Sequence, residues 1–229
     1  MSLTTTNTRK SLVAALALSA ALGMSACGTS DTSSANAAES STASSSRPEP
    51  VASIPALTGG STAVALDADF AAALESLQLT PGVVGDAVLA DGSVTFPITG
   101  GAVTVYDQDS GYRPWVQGTL LHQNSGLSLT AGETTVELTN FTIDPGKPAR
   151  LFGDVAVNGE QAVASAPLFI LDGSTLKPLS TTDAGEAVLD GTQVKFTQAA
   201  ADLLNQTFGV DALAEGFLVG TATITVPTS

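Results

Sequence analysis

Apolar and polar positions alternate through much of the chain after about residue 60. Val94, Phe96 and Ile98 face one way while Thr95, Pro97 and Thr99 face the other, a period of two that predicts a half-buried strand. Val103 and Val105 against Thr104 and Tyr106, Leu127 and Leu129 against Ser128 and Thr130, and Val136 and Leu138 against Glu137 and Thr139 repeat the pattern. The parity then flips at Phe141 and Ile143, which implies a β-bulge near Asn140. Trp115 to His122 reads as a further strand. Asp91-Gly92, Gly100-Gly101, Asn158-Gly159, Asp172-Gly173 and Asp190-Gly191 are turn dipeptides of the kind that supply positive φ to hairpins. Pro97, Pro148 and Pro167 belong at edges, bulges or strand starts, because proline has no N–H for a ladder.

The period changes to a helical one in two places. Asp67 can cap a helix carrying Phe70, Leu74 and Leu77, ended by Thr80-Pro81-Gly82; Ala199 to Gln206 carries Ala200, Leu203 and Leu204 as a buried stripe. The expected fold is mainly β, an antiparallel sandwich or partly closed barrel with two short helices at about 67–78 and 198–206. Offset by 130, Val64, Leu66, Asp67, Ala71 and Leu74 fall on Val194, Phe196, Thr197, Ala201 and Leu204. That hints at two related β-α-β units placed at either end of a sheet.

The first fifty residues are of another kind. Arg9 and Lys10 precede an apolar run from Leu12 to Leu22, too short for a membrane-spanning helix and suited to an export signal. The run ends in Gly23-Met24-Ser25-Ala26-Cys27-Gly28, which resembles the lipobox of bacterial lipoproteins, with Met24 where Leu is usual. The resemblance implies cleavage after residue 26 and lipidation of Cys27, hence a protein exported and anchored to the outer face of the cell membrane. Residues 27–51 are rich in Ser, Thr and Ala and form a tether, whose 5–6 Å × √n scaling sets the domain roughly 25–33 Å from the bilayer. Residues 52–229 form a single β-rich domain.

Composition narrows the chemistry. The chain of 229 residues has one cysteine and one histidine, which excludes a disulfide scaffold and a zinc site of several thiolates. Its 22 acidic and 8 basic residues exclude a basic nucleic-acid surface. Removing residues 1–26 takes away Arg9 and Lys10 and no acid, so the net charge goes from −14 to −16. No phosphate-binding glycine fingerprint and no Gly-x-Ser-x-Gly elbow are present.

Several segments resemble a family of exported β-rich domains from actinobacteria and related bacteria. They are Leu-Thr-Pro-Gly at 79–82, Val-Thr-Phe-Pro-Ile-Thr-Gly-Gly at 94–101, Ser-Gly-Leu-Ser-Leu-Thr at 125–130, Asn-Phe-Thr-Ile-Asp at 140–144, Pro-Leu-Phe-Ile-Leu-Asp at 167–172, the run at 199–209 and the closing strand at 216–223. More loosely, the arrangement is similar to the HtaA-like haem-uptake domains of actinobacterial surface proteins, which use a tyrosine and a histidine at the haem. The shared residues are strands, turns and helix, so the resemblance transfers no binding residue to a position here. What it implies is haem as a ligand.

Candidate chemistry gathers in one stretch. Tyr106-Asp-Gln-Asp-Ser-Gly-Tyr112-Arg113-Pro-Trp115 holds both tyrosines and the only tryptophan, with an arginine and two acids, between two strands. Rigid aromatic and arginine side chains on a loop are what binding surfaces use. Tyr106, Tyr112, Arg113, Trp115 and His122 are therefore the candidate ligand-binding residues. The bland alternatives are a connection whose aromatics cover a core edge and an imidazole bonded to a neighbour. Asp107-x-Asp109-x-Gly111 matches a calcium loop only in part, lacking a third oxygen and the closing Glu. The expected function is a non-catalytic binding or envelope module with no catalytic residue and no metal site. Two alternatives stand beside it: a hydrolase using His122 with a serine and an acid, and a structural adhesin without a pocket.

Overall fold

The computed structural model describes residues 47–228. The export signal, Cys27 and all but the last residues of the tether lie outside the described residues. The described chain runs β1 (Ala52–Ile54), β2 (Ser61–Leu66), α1 (Ala68–Ser76), β3 (Thr80–Gly85), β4 (Val88–Ala90), β5 (Ser93–Pro97), β6 (Gly100–Val105), β7 (Val116–Ala131), β8 (Thr134–Asp144), β9 (Arg150–Val157), β10 (Glu160–Asp172), β11 (Ser180–Thr181), β12 (Ala187–Phe196), α2 (Gln198–Phe208) and β13 (Leu218–Val226). All pairings are antiparallel, in the order β1-β6-β7-β8-β9-β10-β12-β13-β2-β5-β4, with β11 added on β12. The fold is mainly β, and of the two expected architectures it is the partly closed one: a curled sheet forming a half-barrel. No described helix is long and apolar enough to cross a membrane.

The long strands make the curl. β7 pairs with β6 through Val116–Leu121 and with β3 through Ser125–Thr130, on the same edge, while β8 runs along its other edge. The ladder slips between His122 and Gly126 on β7, between Thr139 and Thr142 on β8, and twice between Gln161 and Ala166 on β10. At these slips stand three non-glycine residues of positive φ: Asn124 (56°), Asn140 (54°) and Ser165 (49°). The bulge expected near Asn140 is thus one of a row.

Side chains tie the row together. Asn124 donates from Nδ2 to Asp86 and from its backbone N–H to the Asn140 side chain, both at 3.0 Å. Asn140 donates to Asp154 at 3.0 Å, and Asp154 accepts the Ser165 N–H at 2.9 Å. Gly126 sits where the strands close up, for a Cβ there would strike the Leu138 carbonyl and the Thr139 side chain.

Folding the sheet over gives two apolar clusters. One gathers Phe70, Leu74, Leu129, Leu138, Phe196 and Leu204 beneath both helices. The other gathers Val103, Val105, Leu120, Ile143, Leu189 and Val226 at the opposite end. Both helices begin as the pattern predicts. The Asp67 carboxylate accepts the Asp69 N–H and the Thr197 hydroxyl accepts the Ala200 N–H. α2 is turned slightly from the expected stripe, burying Ala200, Ala201 and Leu204 with Leu203 at the margin. The two strand-helix units are not at the ends of the sheet. β2 and β12 flank β13 on either side, so the units meet in mid-sheet. Thr80-Pro81-Gly82 opens β3 rather than a loop.

Asn140 and the Ser165 N–H hold the Asp154 carboxyl below its usual value. A group depressed in the folded state stabilises above its unfolded pKa and loses that contribution as pH falls through the folded one. Asp154→Ala is expected to lower stability by about 1–2 kcal/mol at pH 7 in urea unfolding, the gap closing below pH ~3.9. Equal stability of variant and wild type at pH 7 would deny the bulge row a structural role.

Candidate functional site

The loop from Tyr106 to Trp115 is closed at its base by the Tyr106 N–H donating to the Trp115 carbonyl at 2.7 Å. The alternation placed Tyr106 on the polar face with Thr104. It is instead buried at 3% exposure, because β6 ends at Val105 and the ring turns inward against Tyr112, centroids 4.8 Å apart. The Asp107 carboxylate accepts the Asp109 N–H at 2.8 Å, capping a single 3-10 turn, so it serves the backbone rather than a cation. Gln117 first, and Arg47 after it, hold the Tyr112 phenol below its ordinary pKa. Arg113 is exposed, with its guanidinium donating to the Tyr112 carbonyl at 2.9 Å. Among the described residues no cluster of three or more His, Cys, Asp or Glu has metal-binding geometry.

Trp115 points elsewhere. With Pro114 it walls a cavity of about 140 Å³ at the loop end of the half-barrel. Ile54, Val103, Val105, Leu120, Leu176 and Ile224 are among its other walls, and Thr192 is the one polar side chain. This cup is open to solvent, and no titratable side chain lines it. Sequence reasoning missed all of its walls except Trp115. Apart from Thr192 and Gly173, each is an apolar residue of a strand or a connecting turn, so nothing in the pattern separates cup wall from core.

His122 is at 1% exposure in mid-β7, not at a strand end. Its Nε2 lies 2.9 Å from the Thr62 hydroxyl. That bond joins β7 to β2, six steps apart along the sheet, across the inside of the half-barrel. Phe96 stands edge-on to the imidazole at 6.3 Å. Nδ1 is buried without a hydrogen-bond partner; the Phe141 carbonyl favours a proton there but does not reach bonding geometry. Burial pushes the imidazole down to about 4, so the ring is neutral at pH 7. It borders a second, wholly apolar cavity of about 50 Å³, separated from the cup by Ile143, Leu171 and Ala222, which wall both.

The five candidate residues therefore do not converge. Tyr106 and Tyr112 meet each other, Trp115 lines the cup, Arg113 faces solvent, and His122 is sealed in the core. Nor does His122 meet a serine and an acid. Its nearest hydroxyl is that of Thr62, and the Ser125 hydroxyl donates to the His122 backbone carbonyl at 3.3 Å.

The chain has the fold of the C-terminal domain of HtaA from Corynebacterium glutamicum. The match has a TM-score of 0.51 and 16% identity, covering 75% of this chain and 97% of that one. The N-terminal domain of the same protein gives 0.49 and 15%, covering 76% of this chain and 99% of that one. Heme binding protein HtaB from the same organism gives 0.46 and 13%, covering 76% and 95%. No protein-family model matches the sequence, and no curated protein matches it.

The single imidazole makes its state directly observable. Its proton NMR resonance is expected to titrate near pH 4 rather than 6.5. The unfolded chain takes up the proton near 6.5 and the folded one near 4, so stability is full above 6.5, declines by about 3 kcal/mol between, and levels off below. The double replacement Thr62→Val/His122→Leu is expected to flatten that interval; an ordinary midpoint near 6.5 in the wild type would show an imidazole open to water.

Proposed function

We propose that this protein is a non-catalytic binding module, held outside the cell on the lipid of Cys27, that takes an apolar group into the cup of its half-barrel. The supporting observation is the cup itself: an open, apolar concavity beside the aromatic loop, walled by the only tryptophan, in a fold shared with an HtaA domain. Against a hydrolase stands the sealed His122, which has no serine-acid partner set around it. Against an adhesin without a pocket stands the cup.

Haem is the ligand that the resemblance brings forward, and the residues here do not suit the tyrosine-histidine arrangement. Both tyrosines of the chain lie in the loop, away from His122, and neither they nor His122 line the cup. The cup is also small. Its ~140 Å³ compares with the engineered 150 Å³ cavity that holds one benzene, so a ring or chain end enters rather than a whole macrocycle. Haem held here would be bound through apolar contact at the macrocycle's edge.

N-phenyl-1-naphthylamine is expected to bind the domain saturably and to quench Trp115. Ala149→Trp, which fills the mouth from a loop position, should weaken that binding about tenfold or more with the far-UV circular dichroism unchanged. Haemin should give the same Soret band with wild type and His122→Ala. Absence of saturable dye binding, or equal binding by the variant, would overturn the cup as a site; a Soret shift lost in His122→Ala would put the ligand at the imidazole instead.

The anchor is tested separately. Wild-type protein is expected in the membrane fraction with an acylated N-terminal cysteine by mass spectrometry, and Cys27→Ser in the medium or retained with its signal attached. Recovery of wild type from soluble lysate with Met1 intact would remove the extracytoplasmic reading.

A further inference from the structure

Charge is distributed unevenly over the domain. Residues 47–228 contain six cations, Arg47, Arg113, Lys147, Arg150, Lys177 and Lys195, and 20 acids, the chain's 22 less Asp31 and Glu39. Four of the six, Arg113, Lys147, Arg150 and Lys177, lie within two residues of a cup wall. Arg113 precedes the wall residue Pro114, and Arg47 sits against Tyr112 in the same loop. Lys147 lies between the wall residues Pro145 and Ala149, and Arg150 follows Ala149. Lys177 follows the wall residue Leu176, and Lys195 is paired at 2.7 Å with Asp172, which stands between Leu171 and Gly173 of the wall. The helices, the β3–β4 turn and residues 154–166 of the β9–β10 hairpin carry acids and no cation.

Acids adjoin the cup as well, for Asp144, Asp172, Glu186 and Asp190 are each next in the chain to a wall residue, but several are engaged. Lys195 holds Asp172 down to about 2, Lys177 pairs with Asp190 at 2.6 Å, and Asp107 and Asp144 cap their own turns. Asp109 shares the loop of Arg113. Arg113 and Lys147 are exposed, and neither they nor the half-buried Arg150 form an ion pair among the described residues. A protein this acidic has no need of cations for solubility, and scattered ones would serve surface pairing equally well. Exposed, unpaired cations beside an apolar cup suit a ligand with one apolar and one anionic end.

We propose that the cup binds an anionic amphiphile, its alkyl chain end among Val103, Leu120 and Trp115 and its carboxylate or phosphate against Arg113 and Lys147. This rests on the cup being the ligand site. The chain enters by burial of apolar area, and the anion adds a salt-screened attraction at the mouth.

Trp115 fluorescence reads the test, with dodecanoate, dodecyl phosphate, dodecanol and dodecyltrimethylammonium titrated below their micelle concentrations into the domain 47–229 and into Arg113→Gln/Lys147→Gln. Both anions are expected to bind about tenfold more tightly than dodecanol, with the cation weakest. The double variant should erase that advantage and leave dodecanol unchanged, and 0.5 M NaCl should do likewise. The ratio of dodecanoate to dodecyl phosphate tells a free carboxylic acid from a phosphate headgroup. Dodecanol binding as tightly as the anions, or an anion preference that survives in the double variant, would overturn the inference while leaving the cup intact. Failure of all four probes to move Trp115 would instead sink the cup reading beneath it.

Discussion

The row of bulges across β7, β8 and β10 is the constraint on which this fold rests. A regular antiparallel sheet of strands up to 16 residues long would twist but stay open. Here three residues in the left-handed region step the ladder on β7, β8 and β10, and Asp86, Asn124, Asn140, Asp154 and Ser165 pass hydrogen bonds from one step to the next. Asparagine tolerates that backbone better than most residues, and its amide both donates and accepts, so one residue type satisfies geometry and bonding together. The bend lets one sheet cover two apolar clusters, one capped by helices and the other left with an opening. The His122–Thr62 bond then joins strands that the sheet order keeps far apart.

Much of this was legible from residue pattern. The alternation at Val94-Phe96-Ile98 and the flip at Phe141 translate directly into strand faces and a bulge, because side-chain burial follows a period of two wherever one face meets a core. Asp91-Gly92 and Asn158-Gly159 are two-residue hairpins with both φ values positive. Gly100-Gly101 and Asp190-Gly191 lie within strands instead, and the Asp172 carboxylate caps a 3-10 turn. The dipeptide specifies a tolerated backbone, and long-range pairing decides its use. The same limit applies to β7, whose two apolar stretches read as separate strands because the bulge between them breaks the period.

The site was harder to read, for a physical reason. Polar and aromatic residues attract attention because they carry chemistry, yet the concavity is built from valine, leucine and isoleucine. Tyr106 and His122 stand out by type, and the structure buries both, the tyrosine against its neighbour and the imidazole as a neutral polar link in the core. The cations stood out less, being few and dispersed in sequence; only the fold shows that Arg113, Lys147, Arg150 and Lys177 adjoin walls of one opening.

One wall of that opening is unusual in its footing. β1 contributes Ala52 and Ile54, yet it is a three-residue edge strand pinned only to β6. Short edge strands are among the first elements to fray. Release of those three residue pairs would therefore widen the cup beyond its resting volume.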